Sequence, residues 1–161
     1  MDTATVTTPT DTQTRIEREF DASRELLWRA YTDPNRVAQW WGRGNHLLVE
    51  RMDVKPGGHW LYVERTPQGT ERFKGTYREI SPGERIVSSF EWDGMAGHVS
   101  TDTVVFEELP NGRSRLVIAT EFATKQDRDG MLSLGMEKGL NESFFALERL
   151  LEIERKGRAA A

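Results

Sequence analysis

Two carboxylates lie in strand-like segments whose alternation directs them to the same side as large aromatic residues. Glu64 shares its parity with Trp60 and Tyr62, and Asp102 shares its parity with Phe106. Burial in an apolar space raises the pKa of a carboxyl group, and a second carboxylate nearby raises one of the two further. Such a group acts as a general acid or base, or fixes a polar group of a ligand.

Other positions for these carboxylates stay open. A strand bulge or the open rim of the sheet would place one or both of them in water. A basic side chain would also neutralise them, and the candidates are Arg72, Arg78 and Arg115. Tyr77 is a further candidate hydroxyl, although a bulge at Gly75 would change the face on which it lies.

Large aromatic side chains of matching parity are expected to line a pocket, because amphipathic aromatic residues are common in ligand sites. The candidate ligand-binding residues are Trp40, Trp41, Trp60, Tyr62, Tyr77, Ser88, Phe90, Trp92, Met136 and Leu140. Simple core packing is the alternative for each aromatic residue. We expect core packing for Phe106, Leu116, Ile118 and Phe144.

Several other kinds of site are not expected. The chain has no cysteine, which excludes disulfides, thiolate metal sites and a cysteine nucleophile and fits a reducing cytoplasm. His46, His59 and His98 lack metal-ligand spacing, and no Gly-rich phosphate loop follows a strand. We therefore predict no metal and no cofactor. A triad of Ser88, His98 and Asp102 has no nucleophile-elbow motif to support it.

Charge and hydropathy exclude some classes of partner and location. The 161 residues include 22 basic and 26 acidic side chains, and this net charge of −4 argues against nucleic acid as the main partner. No apolar run approaches 18 residues, so no membrane span is predicted. The first residues lack the basic and apolar pattern of a secretory signal, so we expect a cytoplasmic protein.

The elements that would position these side chains run in the order strand, two short helices, six strands and one long helix. Thr14–Phe20 is the first strand, Ser23 caps a helix at Arg24–Tyr31, and Pro34 begins the second helix. A two-residue period interrupted by short turns then predicts an antiparallel meander. Its strands are His46–Asp53, Trp60–Val63, Phe73–Ile80, Arg85–Trp92, Val99–Glu108 and Arg113–Phe122.

One apolar stripe predicts a long helix over roughly residues 125–155, with Thr124 as its N-terminal cap. The stripe consists of Leu132, Met136, Leu140, Phe144, Leu147 and Leu151. The stripe is interrupted by Gly130, Gly135 and Gly139. Each glycine lowers the stability of a helix interior by about 1 kcal/mol relative to Ala. We expect close packing or open space beside them, with a ragged helix start near Gly130 as the alternative.

The helix stripe must pack on the sheet, because the sheet is the one large apolar surface that the pattern provides. A strongly curved sheet cannot contact a straight helix along its whole length, so a pocket is expected between them. Residues 1–13 are rich in threonine and lack large apolar side chains, which predicts a disordered leader. Residues 14–155 would form a single domain, and residues 156–161 a frayed tail.

Several segments resemble a known family. They are Phe20–Trp28, Trp40-Trp41-Gly42, Asp53–Trp60, Gly75–Ile80, Pro82–Val87 and Phe106-Glu107-Glu108. They resemble bacterial single-domain proteins of the activator-of-heat-shock-protein-ATPase homologue family, in the START-like (SRPBCC) superfamily shared with the birch-pollen allergen and aromatic polyketide cyclases. The resemblance covers about residues 14–151. It implies an α+β helix-grip fold, in which a curved seven-stranded antiparallel sheet surrounds a long C-terminal helix and an elongated apolar cavity, with two short helices after the first strand.

Three positions depart from the pattern that the resemblance implies. Glu64 and Asp102 stand where the family usually has Met and Val, and Leu140 stands where related sequences often have Trp. The smaller side chain at Leu140 implies a larger or differently shaped cavity.

Three functions stay open. The first is binding of a small aromatic or lipid-like molecule whose polar end is oriented by Tyr62, Ser88, Asp102 and Glu64. The second is a cofactor-independent cyclase, dehydratase or hydrolase that uses Asp102 or Glu64 as its catalytic acid or base.

The third function, implied by the resemblance alone, is association with a chaperone ATPase in a stress response. We expect this chain to lack the additional N-terminal domain through which eukaryotic activators engage their chaperone. A homodimer would form through an exposed edge strand or the short helices.

Overall fold

An eight-stranded antiparallel sheet and four α-helices make up residues 3–160, the part of the chain that the computed structural model describes. The strands are β1 (Thr5–Thr7), β2 (Gln13–Phe20), β3 (His46–Met52), β4 (His59–Thr66), β5 (Gly69–Ser81), β6 (Arg85–Trp92), β7 (Ser100–Leu109) and β8 (Arg113–Glu121). The helices are α1 (Arg24–Thr32), α2 (Pro34–Trp40), α3 (Lys125–Ser133) and α4 (Met136–Ala160). The strand order is β1-β2-β8-β7-β6-β5-β4-β3. The predicted helix-grip architecture is confirmed, with eight strands in place of seven.

The additional strand, β1, lies in the segment that we expected to be a disordered leader. Val6 pairs with Ile16 of β2, and the backbone N–H of Ala4 donates to Oδ1 of Asn141 at 2.9 Å. A threonine-rich segment has few apolar side chains to bury, but its backbone can still pair with the open edge of β2. Met1, Asp2 and Ala161, which belong to the predicted leader and tail, lie outside the described residues.

The predicted helix caps are present. The hydroxyl of Ser23 accepts a hydrogen bond from the backbone N–H of Leu26 at 3.2 Å, and that of Thr124 accepts one from Asp127 at 3.0 Å. Each bond satisfies a backbone donor that the first helical turn leaves unpaired. The apolar face of α4 then packs on the sheet, where Phe144 meets Phe20 edge-on at 5.7 Å between ring centroids.

The C-terminal helix is broken, which the apolar stripe did not predict. Helix α3 ends at Ser133 and α4 begins at Met136, with Gly135 between them at a φ of +81°. Side-chain-bearing residues rarely adopt this left-handed backbone, which is a common way to end a helix. Helix α4 also continues to Ala160, through part of the predicted frayed tail. None of the helices in residues 3–160 combines the length and apolar character needed to cross a bilayer.

Alanine at the two glycines of this helical pair should change stability in opposite directions. Gly135→Ala should lower the free energy of unfolding by about 1 to 2 kcal/mol, because it places a Cβ on left-handed backbone. Gly130→Ala should raise it by up to about 1 kcal/mol, because Gly130 lies within α3 and has open space around it. Urea unfolding of both variants measures the difference. An increase in the free energy of unfolding of Gly135→Ala would contradict a helix break with left-handed backbone at Gly135.

Candidate functional site

A cavity of about 430 Å³ lies between the inner face of the sheet and the helices. This volume falls within the range of small-molecule sites. The structure places all ten candidate ligand-binding residues in its wall, together with Asp102. They are Trp40, Trp41, Trp60, Tyr62, Tyr77, Ser88, Phe90, Trp92, Asp102, Met136 and Leu140. Their roles in binding or catalysis stay predictions.

Aromatic rings in mutual contact form one wall of the cavity. Trp41 lies edge-on to Tyr62 and Phe73, with centroids 5.1 and 4.9 Å apart. Trp60 packs against Tyr62 at 4.7 Å and against Phe90 at 6.0 Å. Rings that contact one another have little freedom to rotate into the cavity. The aromatic wall is therefore largely formed before any ligand enters.

A row of polar side chains crosses four adjacent strands on the cavity face. Tyr77 of β5 pairs with Ser88 of β6, Ser88 with Asp102 of β7, and Asp102 with Thr120 of β8. Residues that pair directly across antiparallel strands project from the same face of a sheet. The hydroxyl of Thr120 donates to Oδ1 of Asp102 at 2.6 Å. This polar row gives a largely aromatic and aliphatic cavity a hydrogen-bonding stripe.

The position of Tyr77 depends on where the bulge in β5 lies. The β5–β6 register shifts between Tyr77 and Glu79, just beyond Tyr77. Tyr77 thus keeps the parity that faces the cavity. Packing rather than a bulge explains Gly75, because a Cβ there would clash with the backbone oxygen of Ser89 and with the indole of Trp60.

Asp102 is a half-buried carboxylate of the polar row. Burial raises the pKa of Asp102 to about 6, although the hydrogen bond from Thr120 opposes this shift. The pKa of the Tyr31 hydroxyl is raised by burial and by the charge of Asp102. Burial also raises the pKa of Tyr77 to about 12. At neutral pH the site therefore presents an ionised carboxylate beside protonated tyrosine hydroxyls.

Glu64 has a different environment from Asp102. Its side chain is 0% exposed, and its carboxylate is paired with a basic residue that is not among the three considered from the sequence. Nε of Arg43 donates to Oε2 at 3.1 Å, Nη2 of Arg43 donates to Oε1, and Nδ2 of Asn45 donates to Oε2 at 3.3 Å. Glu64 is not part of the cavity wall. Because the Glu64 carboxylate is paired with Arg43, it is not available to a ligand in this arrangement.

The basic candidates named from the sequence have other partners. Nη1 of Arg72 lies 3.5 Å from a carboxylate oxygen of Glu50. Arg78 donates to the hydroxyl of Thr101, and Arg115 lies near Glu19 and Glu107.

Arg43 marks the mouth of the cavity. Its side chain is 45% exposed and lines the cavity, as does Leu134 in the turn between α3 and α4, which is 61% exposed. The backbone N–H of Arg43 donates to the hydroxyl of Ser143 at 3.1 Å. A Cβ at Gly139 would lie 2.6 Å from Cδ of Arg43, so glycine allows this arginine to pack on α4. Residues with both solvent and cavity contact define an entrance between the segment after α2 and the α3–α4 turn.

Sequence reasoning missed several residues of the wall. They include Tyr31, Arg43, Glu71, Met131, Leu134 and Ser143. Arg43 had a usable signal, because it directly follows the Trp40-Trp41-Gly42 segment that we expected to close one end. Glu71 had none, because its partner, the Nε1 donor of Trp92 at 2.5 Å, lies on another strand.

No cluster of three or more His, Asp or Glu side chains suited to a metal ion occurs among residues 3–160. His98 contacts a single carboxylate, with its Nδ1 2.7 Å from Oδ1 of Asp127. This contact joins the loop before β7 to the first turn of α3.

Comparisons with known proteins identify relatives by profile and by fold. The profile of the family described as Activator of Hsp90 ATPase homolog 1-like protein matches residues 21–152. A comparison with curated protein sequences finds no match.

Solved structures of bacterial proteins share the fold. A crystal structure from Rhodobacter sphaeroides superposes with a TM-score of 0.85 at 24% identity, covering 93% of this chain and 99% of that one. A protein from Mycobacterium smegmatis gives 0.83 at 22% identity, covering 92% and 96%. The AHSA1 protein from Silicibacter pomeroyi gives 0.71 at 25% identity, covering 88% and 99%.

Replacing Asp102 by its neutral isostere should stabilise the protein at neutral pH and above. The folded-state pKa of about 6 exceeds the ordinary value of 3.8, so the ionised form destabilises the folded state, and this effect disappears as the pH falls through 6 toward 4. Asp102→Asn should therefore raise the free energy of unfolding by about 2 to 3 kcal/mol near pH 8. The gain should decline on acidification. Urea unfolding at several pH values measures it.

Thr120→Val provides the matched test of the same electrostatic argument. It removes the hydrogen bond that lowers the pKa of Asp102, so the pH window should move upward. A pH-independent effect of Asp102→Asn would show that this carboxyl titrates in the ordinary range.

Proposed function

Because this chain belongs to the Activator of Hsp90 ATPase homolog 1-like family, whose helix-grip fold is a ligand-binding fold, we propose that it binds a small hydrophobic molecule. The molecule is aromatic or lipid-like and lies in the cavity between the sheet and α4. The observation that carries this proposal is the aromatic cavity of about 430 Å³ with one polar row in its wall.

The driving force is burial of apolar surface. A ligand that buries roughly 300 Å² of apolar surface gains about 7.5 kcal/mol, at about 25 cal/mol per Å². The loss of translational and rotational freedom on binding reduces this gain. Titrations should therefore extend from micromolar to millimolar ligand.

The polar end of the ligand is oriented by the polar row and its neighbours. Tyr62, Tyr77, Ser88 and Asp102 offer hydroxyl donors and one carboxylate acceptor from the cavity wall. Glu64 contributes through Arg43 at the mouth, because its carboxylate is already paired. Entry occurs beside Arg43, and the apolar body of the ligand packs against the indoles.

Filling the cavity from α4 tests this proposal. Leu140→Trp adds ring volume to the cavity wall, so 4-tert-butylbenzyl alcohol should bind at least about tenfold more weakly than to the unmodified protein. Ile153→Trp is the matched control, because it adds the same side chain to α4 at a position that is 70% exposed. Isothermal titration calorimetry measures both affinities.

The proposal fails if calorimetry at two temperatures detects no binding of this alcohol to the unmodified protein across the concentration range, since apolar burial releases little heat near 25 °C. It also fails if Leu140→Trp binds the alcohol as well as Ile153→Trp does. Circular dichroism checks that both variants are folded.

A second candidate function, cofactor-independent catalysis, is favoured by one observation. The raised pKa of Asp102, about 6, lies close to neutral pH, where a general base is most effective. The carboxylate lies within the cavity wall, so a substrate in the cavity would contact it directly. Asp102 would remove a proton from a substrate that the aromatic wall holds in place.

Ring opening of 5-nitrobenzisoxazole tests this candidate without a known substrate, because a base removes the C3 proton while the N–O bond breaks. The rate should rise with pH through about 6, following ionisation of Asp102. Asp102→Asn should abolish the protein-dependent rate. Glu64→Gln should retain it, since Glu64 faces Arg43. Equal rates for both variants would remove Asp102 from the role of base.

A further inference from the structure

The charged groups of the cavity wall are unequally paired. The wall contains Arg43, Glu71 and Asp102. Arg43 donates through two nitrogens to Glu64, so the positive group is already compensated. Glu71 accepts the indole N–H of Trp92 at 2.5 Å.

Asp102, like Glu71, has no cationic partner at ion-pair distance among the described residues. It accepts the hydroxyl of Thr120. A ligand anion would find its cation already occupied, whereas a ligand cation would meet an uncompensated carboxylate. The cavity wall therefore selects for positive charge.

The surroundings of Asp102 also suit a cation. Tyr31 is close enough for the Asp102 charge to raise the pKa of its hydroxyl. Phe90 pairs with Ser100, so it is a diagonal neighbour of Asp102 on the same face of the sheet, at about 7 Å between the two residues by strand geometry. Aromatic faces attract ammonium groups, and the attraction is stronger where water is excluded.

We propose that the cavity binds a hydrophobic amine, with its ammonium group hydrogen-bonded to Asp102 and its apolar body against the aromatic wall. This inference rests on the proposed function, because it names the ligand class of the same cavity. An ammonium beside this half-buried carboxylate restores the pairing that the protein itself does not supply. It also lowers the pKa of Asp102, because an opposite charge favours the ionised form.

Three probes that share one hydrocarbon group and differ in charge separate the electrostatic contribution to binding from the apolar contribution. They are 4-tert-butylbenzylamine, 4-tert-butylbenzyl alcohol and 4-tert-butylbenzoate. By calorimetry near pH 8, the amine should bind at least about tenfold more tightly than the alcohol, because its bond to Asp102 is charge-assisted. The benzoate should bind most weakly, since Arg43 is paired with Glu64.

Two aspartate variants test whether Asp102 causes the preference for the amine over the alcohol. Asp102→Asn should bring the affinity of the amine to that of the alcohol or below it. Asp129→Asn makes the same charge change on the exposed surface of α3, where Asp129 contacts Arg128, and should keep the preference for the amine. A loss of preference in both variants would assign it to net charge and overturn the proposal.

The pH dependence of the unmodified protein gives a readout that needs no variant. Binding of the amine should weaken by about tenfold between pH 8 and pH 5, as Asp102 gains its proton, while binding of the alcohol should stay constant. Tyr31, Tyr62 and Tyr77, the tyrosines of the cavity wall, have raised pKa values and stay protonated throughout, and the other charged residues of the wall are Arg43 and Glu71.

The outcomes distinguish this inference from the proposed function. Equal binding of amine and alcohol would overturn the amine proposal and leave hydrophobic binding intact. Absence of binding by both would overturn the two together.

Discussion

The arrangement of the cavity depends on how the charges of two carboxylates, Glu64 and Asp102, are compensated. Glu64 is fully buried and receives hydrogen bonds from Arg43 and Asn45, whereas Asp102 receives one from the uncharged Thr120. Burying an unpaired charge costs several kcal/mol, so each acid requires an opposite charge, a donor or a proton. Charge is therefore balanced at the mouth of the cavity and unbalanced inside it. The local structure around Arg43 serves this balance, because Gly139 leaves space for its stem and the Ser143 hydroxyl accepts its backbone N–H.

The break between α3 and α4 determines what the cavity wall contains on the helical side. Leu134 and Met136 both line the cavity. In a continuous helix, residues two positions apart point to nearly opposite sides, so only one of them would face the sheet. The left-handed backbone at Gly135 changes the direction of the chain between them. A helix interruption thus places an exposed leucine at the entrance and a methionine deeper in the wall.

Alternation along the strands was enough to predict much of the cavity. Ser88 and Asp102 are both expected on the pocket face, and the register places them side by side. The pair formed by Arg43 and Glu64 was not predictable, because it joins a loop to a strand through a contact that no local period encodes. Strand β1 was missed for a related reason, since composition measures the apolar side chains of a segment but not the backbone donors and acceptors that it can pair.

An unpaired acid in a cavity wall lowers the stability of the empty protein at neutral pH, as the raised pKa of Asp102 indicates. A neutral side chain on the same strand would avoid this destabilisation. A ligand that neutralises the carboxylate recovers the lost free energy on binding, because binding and folding are linked through the same charge. The instability of the empty site and the affinity of the occupied site are then two measures of one electrostatic interaction. A neutral ligand would gain binding free energy from the aromatic wall alone, and the ionised carboxylate would continue to destabilise the protein.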